Sequence, residues 1–248
     1  MFNVFRVNFI KQFFANKFIR SHTFPDKMSI DFRVLGLRQA TPKEFDYALD
    51  IAVEMLDQGA VIAVPTDTVY GLAVDSTSSE AISALYEVKK RDPEKPLAIC
   101  VNTIDEIKKW GVISGLPKGL LEKLLPGPVT IVLDRTSHLN ANLNAGITKV
   151  GIRIPNQPFI RRITEKLNRP LALTSANLSN EPSCINVGEF ENLWPLIAAV
   201  FDTGDINNKS KEGSTVVDLS LKGKYSIIRP GVGLKSIVQV LHQFDLKE

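Results

Sequence analysis

Val61-Ile62-Ala63-Val64-Pro65-Thr66-Asp67-Thr68-Val69-Tyr70-Gly71-Leu72 decides how the rest of the chain is read. Its first four residues are apolar and mostly β-branched, the pattern of a buried strand. The strand stops at Pro65, which has no N–H to give a sheet ladder. Two threonines flank an aspartate before Tyr70-Gly71-Leu72 turns apolar again, so a second strand is expected there. A strand that runs into a polar loop is where open α/β sheets place ligands. A side-chain-capped turn between two strands accounts for the same residues. The rest of the chain has to decide between a turn and a site.

Working outward, Thr41-Pro42-Lys43-Glu44 is a capping box with proline at the first helical position. Phe45, Leu49, Ala52, Val53 and Leu56 continue it as a helical stripe, ended by Gly59. Thr77 and Glu80 predict a second capping box ahead of Ile82, Leu85, Tyr86 and Val88, a helix running into Lys89-Lys90-Arg91. Arg91-Asp92-Pro93-Glu94-Lys95-Pro96 has to be a loop. Leu97–Val101 reads as a strand, Thr103 to Trp110 as a capped helix, and Leu116 to Leu125 as another, cut by Pro126-Gly127-Pro128. Strands follow at 129–133 and 150–155, then a loose Asn-rich stretch lies between them at 136–148. A helix at 159–167, a strand at 171–173, strands at 198–202, 214–219 and 225–229, and a last helix at about 234–244 complete the chain. Helices and strands alternate throughout, which makes the class α/β with a mixed sheet.

Bulk properties narrow the function. The 248 residues, 44% of them hydrophobic, are enough for one large domain with its own core. No apolar run approaches the ~20 residues that span a bilayer. Net charge is +3, but residues 1–25 hold Arg6, Lys11, Lys17 and Arg20 with no acid. Without those four, 26 basic residues face 27 acidic ones, so the body is near neutral and gives no electrostatic footprint for nucleic acid. The basic, Phe-rich stretch 1–28 is expected to be a mitochondrial presequence or a disordered tail. Met28 offers a start for a shorter cytosolic form, so both compartments are expected. The two cysteines, Cys100 and Cys184, and three histidines, His22, His138 and His242, show no metal-ligand spacing. There is no P-loop, no dinucleotide-binding glycine fingerprint and no Ser-His-Asp set.

Polar groups nonetheless gather where apolar elements end. They are Thr66-Asp67-Thr68, Lys89-Lys90-Arg91 with Lys95, Thr174-Ser175-Ala176-Asn177, and the set Arg153, Ser214, Thr215 and Arg229. Each has a plain structural explanation, from helix-dipole complementation to turn capping. Arg153, between Ile152 and Ile154, is the hardest to dismiss, because strands rarely bury an unpaired charge. A triphosphate would unite them: arginine forks and lysine point charges hold phosphate oxygens, while hydroxyls and amides fix orientation.

In order along the chain, Pro65–Leu72, Lys89-x-Arg91, Lys95-Pro96-Leu97, Leu125–Thr130, Arg153-Ile154-Pro155, Ser175-Ala176-Asn177, Ser214–Asp218 and Arg229-Pro230-Gly231 resemble the motifs of the YrdC family of threonylcarbamoyl-AMP synthases. The resemblance implies an open, twisted mixed sheet with flanking helices around a concave basic cleft. It places a catalytic domain at 41–232, with residues 233–248 a C-terminal helix packed on it. It implies synthesis of L-threonylcarbamoyl-AMP from L-threonine, bicarbonate and ATP with release of pyrophosphate, Mg²⁺ arriving with the ATP. Separate transferase proteins would pass the group to adenosine 37 of tRNAs reading codons that begin with A. By the same resemblance Lys89 and Arg91 are catalytic. Arg91, Lys95, Arg153, Ser175, Asn177 and Arg229 bind ATP, and Thr66, Thr174, Ser175, Ser214 and Thr215 bind threonine. Lys90, Cys100 and Gln157 stand where the family often has glycine, histidine and histidine. Two other readings compete. One is a non-catalytic module binding double-stranded RNA or tRNA; weak tRNA binding is also compatible with the enzyme. The other is a carbamoyl-adenylating part of a hydrogenase maturation protein, for which the chain lacks cysteines and length.

Overall fold

A computed structural model describes residues 34–92 and 94–248. The stretch 1–28, read above as a presequence or basic tail, lies outside the described residues.

The chain opens with β1 (Val34–Gly36) and α1 (Pro42–Asp57). The capping box forms as read: Glu44 N–H donates to Thr41 Oγ1 and Thr41 N–H donates back to the Glu44 carboxylate at 2.7 Å. Gly59 follows the helix at φ +73°, a left-handed position that favours glycine. β2 (Ile62–Val64) and β3 (Gly71–Asp75) pair antiparallel, with Val64 opposite Gly71. The opening stretch is therefore two strands joined by a six-residue loop, 65–70. After α2 (Ser79–Lys89) come β4 (Ala98–Cys100), α3 (Ile104–Trp110), α4 (Leu120–Leu124) and β5 (Val129–Asp134). Then follow β6 (Lys149–Arg153), α5 (Pro158–Leu167), β7 (Leu171–Ser175) and a 3₁₀ segment, Val187–Leu196. β8 (Ala199–Asp202), β9 (Thr215–Asp218), β10 (Ser226–Arg229) and α6 (Leu234–Gln243) close the fold.

Two helix starts differ from the sequence reading. Ser78, not Thr77, caps α2, its Oγ accepting Ala81 N–H at 3.1 Å. Thr77 instead gives both its N–H and its hydroxyl to Asp75, so that carboxylate removes it from the cap. α4 begins at Leu120 rather than 116, because Gly119 at φ +86° turns the chain into it. The Asn-rich stretch 136–148 is less loose than its composition suggests. The Arg135 guanidinium collects the carbonyls of Leu143 at 2.7 Å and Asn140 at 2.8 Å. The Asn144 side chain brackets the backbone of Leu97 at 2.8 and 2.9 Å.

Among the described residues the strands form one mixed sheet in the order β1-β8-β2-β3-β7-β4-β6-β5-β9-β10. Strand alternation sends Ala63, Leu72, Val74, Ile99, Ile131 and Ile152 to one face, covered by α2, α3, α4 and α6. Ile62, Val64, Ala73 and Leu173 point to the other face, covered by α1 and α5 through Leu49, Leu56, Phe159 and Ile163. That second cover stops partway across the sheet. On β6 and β9 the same face carries Lys149, Gly151 and Val216, all half-exposed, and on β10 Ile228 is 58% exposed. The uncovered half of that face is where a cavity opens.

Ion pairs pin α5 to α1: Arg162 to Asp46 at 3.1 Å, and Lys166 to Asp50. Arg169 bridges Asp57 and, at 2.9 Å, Asp75, whose side chain is only 7% exposed. Exposed pairs contribute little, whereas stranding a buried carboxylate is costly. Arg169→Ala is therefore expected to lower unfolding free energy by about 1–3 kcal/mol, and Lys166→Ala by less than about 1 kcal/mol. Denaturant titration measures both, and equal losses would contradict the ranking.

Candidate active site

The cavity on the uncovered face has a volume of about 550 Å³. Its floor is a cross-strand row in which Leu173 pairs with Ala98, Ala98 with Gly151, and Gly151 with Val132. Small residues at the centre of that row make the room: a Cβ on Gly151 would stand 3.1 Å from the Thr130 methyl. Among the described residues, five basic side chains line the cavity, Arg91, Lys95, Lys149, Arg153 and Arg229, and no carboxylate does. The hydroxyl-bearing residues Thr66, Thr130, Thr174, Ser175, Ser183 and Ser214 share the lining.

Each cation is held by its own element. Arg91 follows α2, and its guanidinium donates to Lys95 O at 3.0 Å and Pro96 O at 2.9 Å, closing the loop 91–96 around itself. Lys95 Nζ reaches Asn180 Oδ1 at 3.1 Å. Arg229, at the end of β10, donates to Ser214 O at 2.8 Å. That contact needs the segment 213–214 close against Gly231, where a Cβ would lie 2.3 Å from Gly213 O, so only glycine fits. Desolvation and then the charges of Arg153 and Arg91 hold Arg229 below the usual guanidinium range. Three arginines crowding one another in this way favour an anion between them. Lys149, on β6, pairs with Asp218 at 2.6 Å. It was missed in the sequence although it stands two and four residues before Gly151 and Arg153, on the same face of one strand.

Three of the expected site residues do not line the cavity. Lys89 is 2% exposed, and its ammonium points into the loop after β7. There its three N–H groups are shared among four oxygens, Ser175 O at 2.7 Å, Ser175 Oγ at 3.1 Å, Asn177 O at 2.6 Å and Asn177 Oδ1 at 2.8 Å. Burial, reinforced by Arg91, pushes the amine down to about 7. Asn177 is buried as well, and its amide holds the carbonyls of Leu178 and Glu181. Thr215 is fully buried and its hydroxyl donates to Val232 O at 3.0 Å. These residues shape the walls from behind. Thr66 lines the cavity, but its Oγ1 accepts the N–H groups of Thr68 and Val69 and donates to Val69 O at 2.7 Å. Its hydroxyl thus builds the 65–70 loop. Ser214 Oγ lies 2.7 Å from Thr130 Oγ1.

The departures from the family pattern also find places. Lys90 is exposed, at φ +47°, a left-handed cap where glycine is ordinarily preferred, and its side chain need not enter the site. Gln157 caps α5, accepting Ile160 N–H at 3.1 Å. Cys100 is fully buried under α1 and α5, where burial raises its thiol to about 12. Neither Gln157 nor Cys100 lines the cavity.

Comparison with known proteins agrees with the fold and the motifs. A family model for Sua5, YciO and YrdC, described as "Telomere recombination", matches residues 54–231. The chain is 47% identical to human threonylcarbamoyl-AMP synthase, over 84% of this chain and 76% of that protein. It is 46% identical to the Bos taurus threonylcarbamoyl-AMP synthase, over 84% and 78%. The crystal structure of P. abyssi Sua5 complexed with L-threonine superposes with a TM-score of 0.76 at 25% identity, covering 87% of this chain and 62% of the other.

Proposed function

The chain belongs to the Sua5/YciO/YrdC family, and from that premise we propose that its cavity makes L-threonylcarbamoyl-AMP from L-threonine, bicarbonate and ATP. One observation carries the assignment to this cavity. Side chains from stretches far apart in sequence, around residues 66, 91–95, 153, 174–175, 214 and 229, converge on one cationic lining with no carboxylate.

The chemistry follows from that lining. The amine of threonine adds to bicarbonate and water leaves, giving a carbamate. A carbamate oxygen attacks the α-phosphorus of ATP, and the bond to pyrophosphate breaks. No covalent nucleophile is needed; the gain comes from holding two anions together and offsetting charge on the α-phosphoryl and the departing pyrophosphate. Arg91, Lys95 and Arg229 have the reach and charge for the phosphates. Ser175, Thr174 and Ser214 offer donors and acceptors to the amino acid or carbamate, and Arg153 offers donors to either. The lining supplies no carboxylate ligand, so Mg²⁺ would ride on the triphosphate oxygens and add charge neutralisation there.

The test is pyrophosphate release measured with and without threonine and bicarbonate. Release that needs both supports the reading, and release indifferent to them would sink it. A near-neutral body and a cavity of this small volume disfavour the RNA-binding alternative. The product would feed separate transferases that modify adenosine 37 of tRNAs reading codons beginning with A. The acid-free stretch 1–25 supports a mitochondrial longer form, and Met28 a cytosolic shorter one. Mass spectrometry of N-termini from both compartments checks this, and mitochondrial protein retaining Met1 would remove presequence cleavage.

A further inference from the structure

We propose that Asp67 is a positioning residue of this site: it holds the Arg153 guanidinium in the orientation from which the arginine meets an anionic group of the substrate. The inference rests on the proposed function for the identity of that substrate.

Three observations support it. First, Arg153 Nη2 is doubly held, by the Asp67 carboxylate in an ion pair and by Thr68 Oγ1 at 2.8 Å. Second, Asp67 is itself tied down, its other oxygen accepting Asn156 N–H at 3.0 Å, so the carboxylate is fixed to the chain just beyond β6. Third, the pair is buried, with side chains 7% and 11% exposed, yet Arg153 lines the cavity.

Asp67 therefore does for Arg153 what the loop carbonyls of Lys95 and Pro96 do for Arg91. It fixes a planar fork that would otherwise rotate, and ties the 65–70 loop to β6. Because the carboxylate spends itself on Arg153 and Asn156, it acts through the arginine and not on the substrate.

The test is a double-mutant cycle on the full chain, comparing wild type, Asp67→Ala, Arg153→Ala and the double variant. Pyrophosphate release and calorimetric titration with ATP and with threonine are the readouts. Asp67→Ala is expected to lower kcat/KM by about ten- to a hundredfold, the scale of a misplaced contact. The double variant is expected to lose no more than Arg153→Ala alone, because the aspartate has nothing left to position. Asp67→Asn, which keeps an acceptor oxygen, should retain more activity than Asp67→Ala without a matching difference in melting temperature, whereas a purely structural defect would move both together. Thermal melts accompany each variant, and should Asp67→Ala not fold, Asp67→Asn completes the same cycle. Losses that multiply in the double variant, or an Asp67→Ala protein as active as wild type, would overturn the proposal. Substrate binding without pyrophosphate release by the wild type would remove the proposed function and leave the cycle readable in binding constants. Neither binding nor release would overturn both.

Discussion

Arg91→Ala is expected to lower kcat/KM for threonine- and bicarbonate-dependent pyrophosphate release by about 10²–10³, the usual cost of removing one preorganised donor from a developing charge. The loss should fall at the upper end because Arg91 has two tasks. It presents a cation to the cavity, and its Nε and Nη2 hold the carbonyls of Lys95 and Pro96. Without it the loop that carries Lys95 loses its internal frame, so a second cation is displaced with the first. Arg91→Lys should rescue little, since a single ammonium cannot reproduce two donors in a planar fork. Lys95→Ala, which removes only one exposed cation, is expected to cost about tenfold, one charge-assisted contact. Steady-state release assays on folded variants decide it, and full activity in both alanine variants would remove the proposed phosphate site.

Lys89→Met is expected to abolish measurable turnover and to lower unfolding free energy by about 3 kcal/mol, although Lys89 does not face the cavity. Methionine fills the volume but donates nothing to the four oxygens of Ser175 and Asn177 that the ammonium gathers. Ser175 lines the cavity, so a relaxed 175–177 loop misplaces a wall of the site. A variant that loses stability and keeps its turnover would show that the clamp serves the fold alone.

Lys89 also gives a pH dependence with a definite sign. Burial lowers the folded amine from 10.5 to about 7. Below pH 7 it is charged in both states, and the cost of burying the charge is fully present. Between about 7 and 10.5 the unfolded chain binds the extra proton, so this group's contribution to stability improves as pH rises. The neutral amine has one fewer N–H for the same oxygens, so the loop loosens over that range. Activity is therefore expected to decline from about pH 7 upward while the melting temperature does not follow it down. A pH profile of kcat/KM beside thermal melts checks this; activity flat to pH 9 would mean that the four oxygens keep the proton on.

Much of the site was legible because its members cluster at element ends. Arg91, Lys95, Arg153, Ser175, Ser214 and Arg229 stand in, at or just beyond the ends of apolar elements, the family resemblance joins them into one candidate site, and all six line the cavity. Lys149 carried the same kind of signal, period-two spacing with Arg153, and was overlooked. Thr66 was found for its chemistry, yet its hydroxyl is consumed by the turn that was the plainer explanation of Thr66-Asp67-Thr68. The turn is there, and Thr66 lines the cavity as well.

By itself the sequence determined whatever depends on neighbours within a few residues. The capping box at Thr41 and Glu44, the strand that ends at Pro65 and the β-alternation that sets one face against the other all follow from local geometry. Tertiary structure alone decided which polar groups meet. Lys89 finds Ser175, and Arg153 finds Asp67, each across 86 positions. Those distances are bridged by strand order and register: β3 beside β7, and β6 reached through β4. A helical or strand period fixes where a side chain points relative to its own element. What stands opposite it depends on which strands pair and on how far the covering helices extend, and here they stop short over β6, β5 and β9. The open face that results is the cavity.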